Sequence, residues 1–231
     1  MREDHYNPKT FNEARSGFKA SENDVFDLLL YYINSPDDTP GNLTYTLFIA
    51  DFKDKFGLKY PRNAYKRVHD GLLHLKGKTI DIWSSDGKDC KSYTLFQSME
   101  WDEGKGMVTV KLGEDTKELF LKKRSSMEDY EICYTLSMNS KYSKRLYVLF
   151  KEWVKNKKKE YYSGLDELRN KLQVPSSYSY GNIKKEILHT ALAEINDNTD
   201  LIVSYKEHLR SVRGGNKVVG LTFKIKKKTG L

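Results

Sequence analysis

Apolar positions along this chain switch repeatedly between a helical and a strand period, and the switches lay out its elements. Val25, Phe26, Leu28, Leu29, Leu30, Tyr32 and Ile33 cover most of one helix surface, so that helix is expected to be buried on more than one side. Ser21-Glu-Asn-Asp24 in front of it has the spacing of a capping box, with Asp in the Glu position. The polar residues 1–20 are expected to order only if docked. Residues 34–42 hold two prolines, a glycine and several Asp and Asn, a loop composition. Tyr45 to Phe56 reads as a short edge strand leading into a helix. Tyr60-Pro61 is a break, because a residue before proline is pushed out of the helical region. From Arg62, the spacing of Tyr65, Val68, Leu72 and Leu75 predicts a second helix, and Ile80/Ile82 and Val108/Val110 alternate as strands do. The strands are placed at Thr79–Trp83, Ser92–Trp101 and Gly106–Leu112.

The second half repeats the order. Tyr130–Leu136 is β-like. Ser137–Asn156 reads as a helix with Leu146, Leu149, Phe150 and Trp153 on one face. Leu165–Leu172 is a short helix, broken at Val174-Pro175 as Tyr60-Pro61 breaks the first half. A longer helix, Tyr178–Asn196, buries Ile183, Ile187, Ala191 and Ile195. Leu201–Tyr205 and Val218–Ile225 form a hairpin whose tip is Arg210–Lys217. A short helix, a turn, a longer helix with a basic start and a hairpin make a winged helix. The same ground plan in both halves predicts an α+β chain of two tandem winged-helix domains, residues 1–125 and 126–231.

Charge divides the halves. Of the net +8, residues 1–125 contribute nothing, with 20 Lys and Arg against 20 Asp and Glu; residues 126–231 hold 20 against 12. A basic second half is the electrostatic footprint of a polyanion, although a merely solvated basic surface would look the same. A content of 31% charged residues and a mean hydropathy of −0.71 predict a soluble protein. No apolar run approaches the ~18 residues of a membrane span, and the opening Met1–His5 has no apolar stretch of a secretory leader. Two cysteines, Cys90 and Cys133, suit a reducing cytoplasm and exclude a disulfide framework or a four-cysteine zinc site.

On the longer second-half helix, at ~100° per residue, Asn182, Lys185, Glu186 and His189 fall opposite the buried stripe, with Ser179 and Lys184 on its flanks and Tyr180 beside them. Such side chains near a helix N-terminus can reach base edges: Asn can pair with adenine, Lys with guanine, and Glu with the cytosine amine. An ordinary solvated face would carry similar residues; the following hairpin and the basic half favour groove contact. Arg210, Arg213 and Lys217 at the hairpin tip suit phosphates or a minor groove, whereas Gly214-Gly215 is explained by turn geometry alone. Lys141, Tyr142, Lys144 and Arg145 are further phosphate candidates. In the first half, Arg62, Asn63, Lys66 and Arg67 are placed to supply local contacts.

Enzymatic signatures are weak. A nicking initiator needs a metal held by a His-X-His pair near its tyrosine, and no two of His5, His69, His74, His189 and His208 are so spaced. His69 and His74 stand about 140° apart around a helix, poor for a shared metal. Gly71 to Thr79 resembles a phosphate loop, but has five residues between its glycines inside an amphipathic helix. No catalytic residue, metal or cofactor is expected.

Ser137–Tyr147, Leu165–Arg169, Ile183–Ala191, Glu194–Asn196, Thr199-Asp200 and Leu221–Ile225 together resemble the iteron-binding replication initiators of theta-replicating plasmids. The resemblance runs from about Tyr130 to Ile225; the first half is similar only in architecture. It implies that the second domain binds repeated double-stranded origin DNA in the major groove through Tyr178–Asn196, with Leu201–Ile225 as the wing. The first domain would add contact through Arg62–Leu75 and form a homodimer in equilibrium with monomer. It further implies origin opening, recruitment of host replication proteins (helicase and initiator), repression of the protein's own promoter by the dimer, and a cytoplasmic, plasmid-associated location without a membrane role. The alternatives are a dimeric winged-helix transcription regulator and a DNA-nicking initiator.

Overall fold

The computed structural model describes residues 18–33, 35, 37–51, 64–84, 88–124, 129–212 and 215–228. The expectations for residues 1–17, the Tyr60-Pro61 break, Arg62, Asn63 and Arg213 lie outside them. The chain forms two compact units that meet in sequence at Ser137/Met138.

In the first unit, α1 (Ala20–Tyr32) is the central helix: Glu22 to Leu30 is buried without interruption. The helix finds cover on all sides, and Glu22, Asn23, Asp24 and Asp27 are buried along with its apolar residues. Its start is capped two residues earlier than Ser21/Asp24 predicted, with Lys19 as the N-cap and Glu22 at the third helical position. The Glu22 carboxylate accepts the Lys19 backbone N–H at 2.9 Å and the Lys78 ammonium at 2.9 Å, so a buried acid is both hydrogen-bonded and paired. Phe18, just before it, is buried. Next come β1 (Thr44–Phe48), α2 (Ala64–Leu75), β2 (Thr79–Trp83), β3 (Cys90–Thr94), β4 (Ser98–Asp102) and β5 (Met107–Lys111). β1, β5 and β4 make one antiparallel sheet, and β2 and β3 pair separately. The single strand expected over Ser92–Trp101 is therefore two, because the chain leaves β2 and takes β5 as its partner after the buried Leu95.

Two helices close the unit, α3 (Glu114–Arg124) and α4 (Asp129–Ser137). The sequence reading missed α3, whose apolar residues are too few for a clear stripe. It took α4 for a strand. Ile132, Tyr134 and Leu136 alternate, but Ile132 and Leu136 are also one helical turn apart, and both are buried in the core around α1. Packing decided between the two periods, and it carries the unit boundary from the expected 125/126 to 137/138. With that boundary the charge contrast sharpens. Residues 1–137 hold 20 Lys and Arg against 23 Asp and Glu, and residues 138–231 hold 20 against 9, a net of +11.

The second unit consists of α5 (Lys141–Lys155), β6 (Glu160–Gly164), α6 (Leu165–Leu172), a helical run α7, β7 (Leu201–Val212) and β8 (Gly215–Lys227). α7 comprises Tyr180–Asn182, a π-helical turn Ile183–Leu188 and His189–Asn198. β8 is central in an antiparallel sheet of order β6-β8-β7; β6 was not anticipated. The core forms where Phe150 of α5, Leu168 and Leu172 of α6, and Ile187 and Ile195 of α7 meet Tyr161, Leu201, Leu221 and Phe223 of the sheet. The hairpin strands run far past their predicted ends, so Arg210 and Lys217 are strand residues rather than members of a loop tip.

Candidate nucleic-acid interface

α6, the turn and α7 form a helix-turn-helix whose joint is held by the backbone and one arginine. Gln173 adopts the left-handed conformation that ends α6, and Val174 N–H donates back to the Arg169 carbonyl. The Arg169 guanidinium reaches across the turn to the Tyr178 carbonyl at 2.7 Å. Ser179 is the N-cap of α7. Its hydroxyl oxygen accepts the Asn182 N–H at 3.2 Å and donates to the Asn182 side-chain oxygen at 2.7 Å, so these two candidate contact residues are ordered by each other.

The π-turn coincides with a four-residue repeat of buried positions. Ile183, Ile187, Ala191 and Ile195 are four residues apart and all buried. A four-residue step overshoots an α-turn by about 40°, which would rotate the stripe off the core within a few steps. The His189 N–H donates to the Lys184 carbonyl, five residues back, and this wider turn winds the helix less per residue. The stripe is buried, and on the opposite face Asn182, Lys185, Glu186 and His189 are all exposed. Lys185 is 81% exposed and within 3.4 Å of Glu186.

Tyr180 and Lys184, two of the expected DNA contacts, are hydrogen-bonded to the wing. The Glu207 Oε1 on β7 accepts the Tyr180 hydroxyl at 2.7 Å and the Lys184 ammonium at 2.9 Å. Partial burial and then Glu207 push the Tyr180 phenol well above its ordinary range. The Tyr180 hydroxyl and then Lys184 hold the Glu207 carboxyl below its usual value, and Glu207 in turn raises Lys184. Sequence reasoning missed Glu207. Its one signal was a single carboxylate between Lys206 and Arg210 on an otherwise basic strand.

The motif residues that carried the resemblance are mostly joints. The Glu194 carboxylate accepts the Asn139 and Ser140 N–H groups at 3.1 Å each, placing negative charge at the α5 N-terminus. Asn196 exchanges two hydrogen bonds with Val203, tying the end of α7 to β7. Asp200 accepts the Tyr147 hydroxyl at 3.0 Å and the buried Lys151 ammonium at 2.8 Å.

On the wing, Arg210 and Lys217 stand directly opposite each other across the two strands, both exposed. A shift in register between His208 and Leu209 lies just behind them. Like charges facing each other destabilise a hairpin, a cost that a bound anion would offset. Of the α5 candidates, Lys141 lies over the Tyr142 ring at 4.9 Å, and the Arg145 guanidinium donates to the Leu172 carbonyl. Lys144 is 3% exposed, which corrects its placement as a phosphate contact: its ammonium is committed to the interior. In the first unit Lys66 is exposed on α2, while the Arg67 side chain lies outside the described residues.

His69 and His74 keep different company. The His69 ring packs edge-on against Trp101 at 4.9 Å, and the His74 Nε2 is 3.5 Å from the Lys19 ammonium. Among the described residues no group of three or more His, Cys, Asp or Glu could hold a metal ion, and no helix is long and apolar enough to cross a membrane. Gly71, the first glycine of the supposed phosphate loop, is mid-helix. A Cβ there would stand 2.4 Å from the Ser21 carbonyl oxygen, so close packing of α1 on α2 explains it.

Comparisons with known proteins agree with this architecture. The chain has the fold of the Pi initiator protein solved in complex with iteron DNA, with a TM-score of 0.72 at 18% identity over 97% of this chain and 100% of that one. It is also similar to domains 2 and 3 of RctB, with a TM-score of 0.56 at 15% identity over 90% of this chain and 82% of that one. A second RctB structure of the same domains gives a TM-score of 0.52 at 14% identity, covering 88% and 82%. No curated protein matches the chain by sequence. The family model described as "Initiator Replication protein, WH1" matches residues 6–151, and "Initiator Rep protein, WH2" matches residues 164–225. With both winged-helix models matched in order along most of its length, the chain belongs to the initiator replication (Rep) protein family.

Proposed function

We propose that this initiator binds repeated double-stranded origin DNA (iterons) of a plasmid through its second unit, with α7 in the major groove and the β7–β8 wing on the flanking backbone. The observation that carries the reading is the exposed stripe of α7, Asn182, Lys185, Glu186 and His189, opposite its buried face, in a unit of net charge +11. That the Pi initiator protein was solved with iteron DNA supports it. Lys185 and Glu186 are the base readers, Asn182 is oriented by Ser179, and Arg210 and Lys217 neutralise phosphates.

The first unit, with Lys66 on α2 and Arg62, Asn63 and Arg67 near it in sequence, adds secondary contacts and the homodimer surface. Monomers open the origin and engage host helicase and initiator proteins; dimers repress the initiator's own promoter. The protein acts in the cytoplasm on its plasmid, by holding DNA rather than breaking bonds. Purified protein on a supercoiled plasmid carrying its own origin tests this. Strand opening without a nick is expected. A covalent tyrosyl-DNA product would establish a nicking enzyme, and occupancy without opening would establish a transcription regulator. In the same system Lys185→Ala should change base preference; equal losses on origin and random DNA would remove Lys185 from base reading.

A further inference from the structure

Glu207 is one of only nine carboxylate residues in the basic second unit, and it sits at the root of the wing. Its Oε1 atom receives two donors from the start of α7, the Tyr180 hydroxyl and the Lys184 ammonium. Tyr180 is the first residue after the N-cap, and Lys184 belongs to the π-turn. Glu207 itself precedes by one residue the register shift that leads to Arg210 and Lys217. One carboxylate thus joins the end of the helix that can reach base edges to the strand that carries the backbone cations. It also occupies a lysine that would otherwise be a mobile cation beside the duplex: the Lys184 side chain is still 44% exposed, and that of Glu207 27%.

We infer that Glu207 is a positioning and specificity-determining residue: it sets the angle between α7 and the wing, and it keeps Lys184 from binding phosphates of any sequence. The inference rests on the proposed DNA-binding function and deepens it. Sequence-independent affinity comes from each cation that displaces counterions from the backbone, whereas discrimination comes from contacts held in one geometry. Tying Lys184 to Glu207 removes one source of the first and steadies the second. The lowered carboxyl pKa of Glu207 and the raised ammonium pKa of Lys184 are what such a closed pair produces.

The test compares the wild-type chain, Glu207→Gln, Lys184→Ala and the double variant on an origin-repeat duplex and on a random duplex of equal length, over a salt series. Gln keeps an oxygen for the Tyr180 hydroxyl and drops the charge, so the unit keeps its fold; its urea transition is measured alongside. Glu207→Gln should bind random DNA more tightly, and its slope of log K against log salt should steepen by about 0.9, one extra phosphate contact. The preference for the repeat over random DNA should fall about tenfold. In the Lys184→Ala background the charge change at Glu207 should leave the random-DNA slope where it was. An unchanged slope in Glu207→Gln, or the same steepening without Lys184, overturns the inference. A wild-type chain with no preference for the repeat overturns the proposed function alone, because the random-DNA slopes still decide what Glu207 does.

Discussion

Reversing one charge on the wing should move stability and DNA affinity in opposite directions. Arg210 faces Lys217 across the hairpin, and both are exposed. In Arg210→Glu the facing pair becomes attractive. A cross-strand pair of opposite charge contributes about 0.2–1 kcal/mol, and the like-charge repulsion it replaces is lost as well. The second unit should therefore gain about 0.5–1 kcal/mol, less in high salt because both side chains are solvated. On DNA the sign reverses. A unit charge about 6 Å from a phosphate in water is worth about 0.7 kcal/mol, so turning attraction into repulsion costs about 1.4 kcal/mol, a factor of ten in affinity. The slope of log K against log salt should fall by about 0.9. Urea denaturation followed by a second-unit signal reads the first quantity; fluorescence anisotropy of a labelled duplex at several salt concentrations reads the second. A merely damaged wing would lose both. A variant that binds as the wild type does refutes the assignment of this face to DNA, and a destabilised second unit refutes the account of the facing charges.

Gly71→Ala should destabilise the first unit by about 1–3 kcal/mol, although an alanine in an open helix would gain about 1 kcal/mol over glycine. The new Cβ would lie 2.4 Å from the Ser21 carbonyl oxygen and 2.9 Å from Val25 Cγ2, where ordinary contact begins at 3.4 Å; a more stable first unit in urea would sink the packing account. Asp200→Ala should cost the second unit about 3–5 kcal/mol, because it removes the carboxylate that pairs with the Lys151 ammonium, whose side chain is 6% exposed. A loss below about 1 kcal/mol by chemical denaturation would show that Lys151 finds another route to water. The Glu207 clasp should fail in acid. Its carboxyl is held below the ordinary 4.5, so its stabilisation is complete above that value and is lost as pH falls through the lowered one. The stability gap between the wild type and Glu207→Gln should be level from neutral pH down to that range and close below it; a gap that widens toward acid contradicts the clasp.

The sequence alone determined the elements whose apolar spacing admits one reading. The four-residue repeat Ile183/Ile187/Ala191/Ile195 can only be a helix, and it predicted which side of α7 is buried and which is exposed. The break at Val174-Pro175, the separate basic half and the hairpin were legible for the same reason: local chemistry and period agreed. Tertiary packing decided the rest. Ile132 and Leu136 fit strand and helix alike until the core around α1 took both from one helix face, and the unit boundary moved with them. The residues from Ser92 to Trp101 look like one strand until β2 and β5 claim different parts. The roles of Lys144, Lys184 and Tyr180 could not be read from spacing, since a side chain's partner depends on what another element brings to it. Glu207 lies 23 residues beyond Lys184, and only the folded hairpin sets its carboxylate beside the start of α7. Periodicity fixes which face of an element is buried; which exposed charge is free to meet DNA is settled by contacts between elements far apart in the chain.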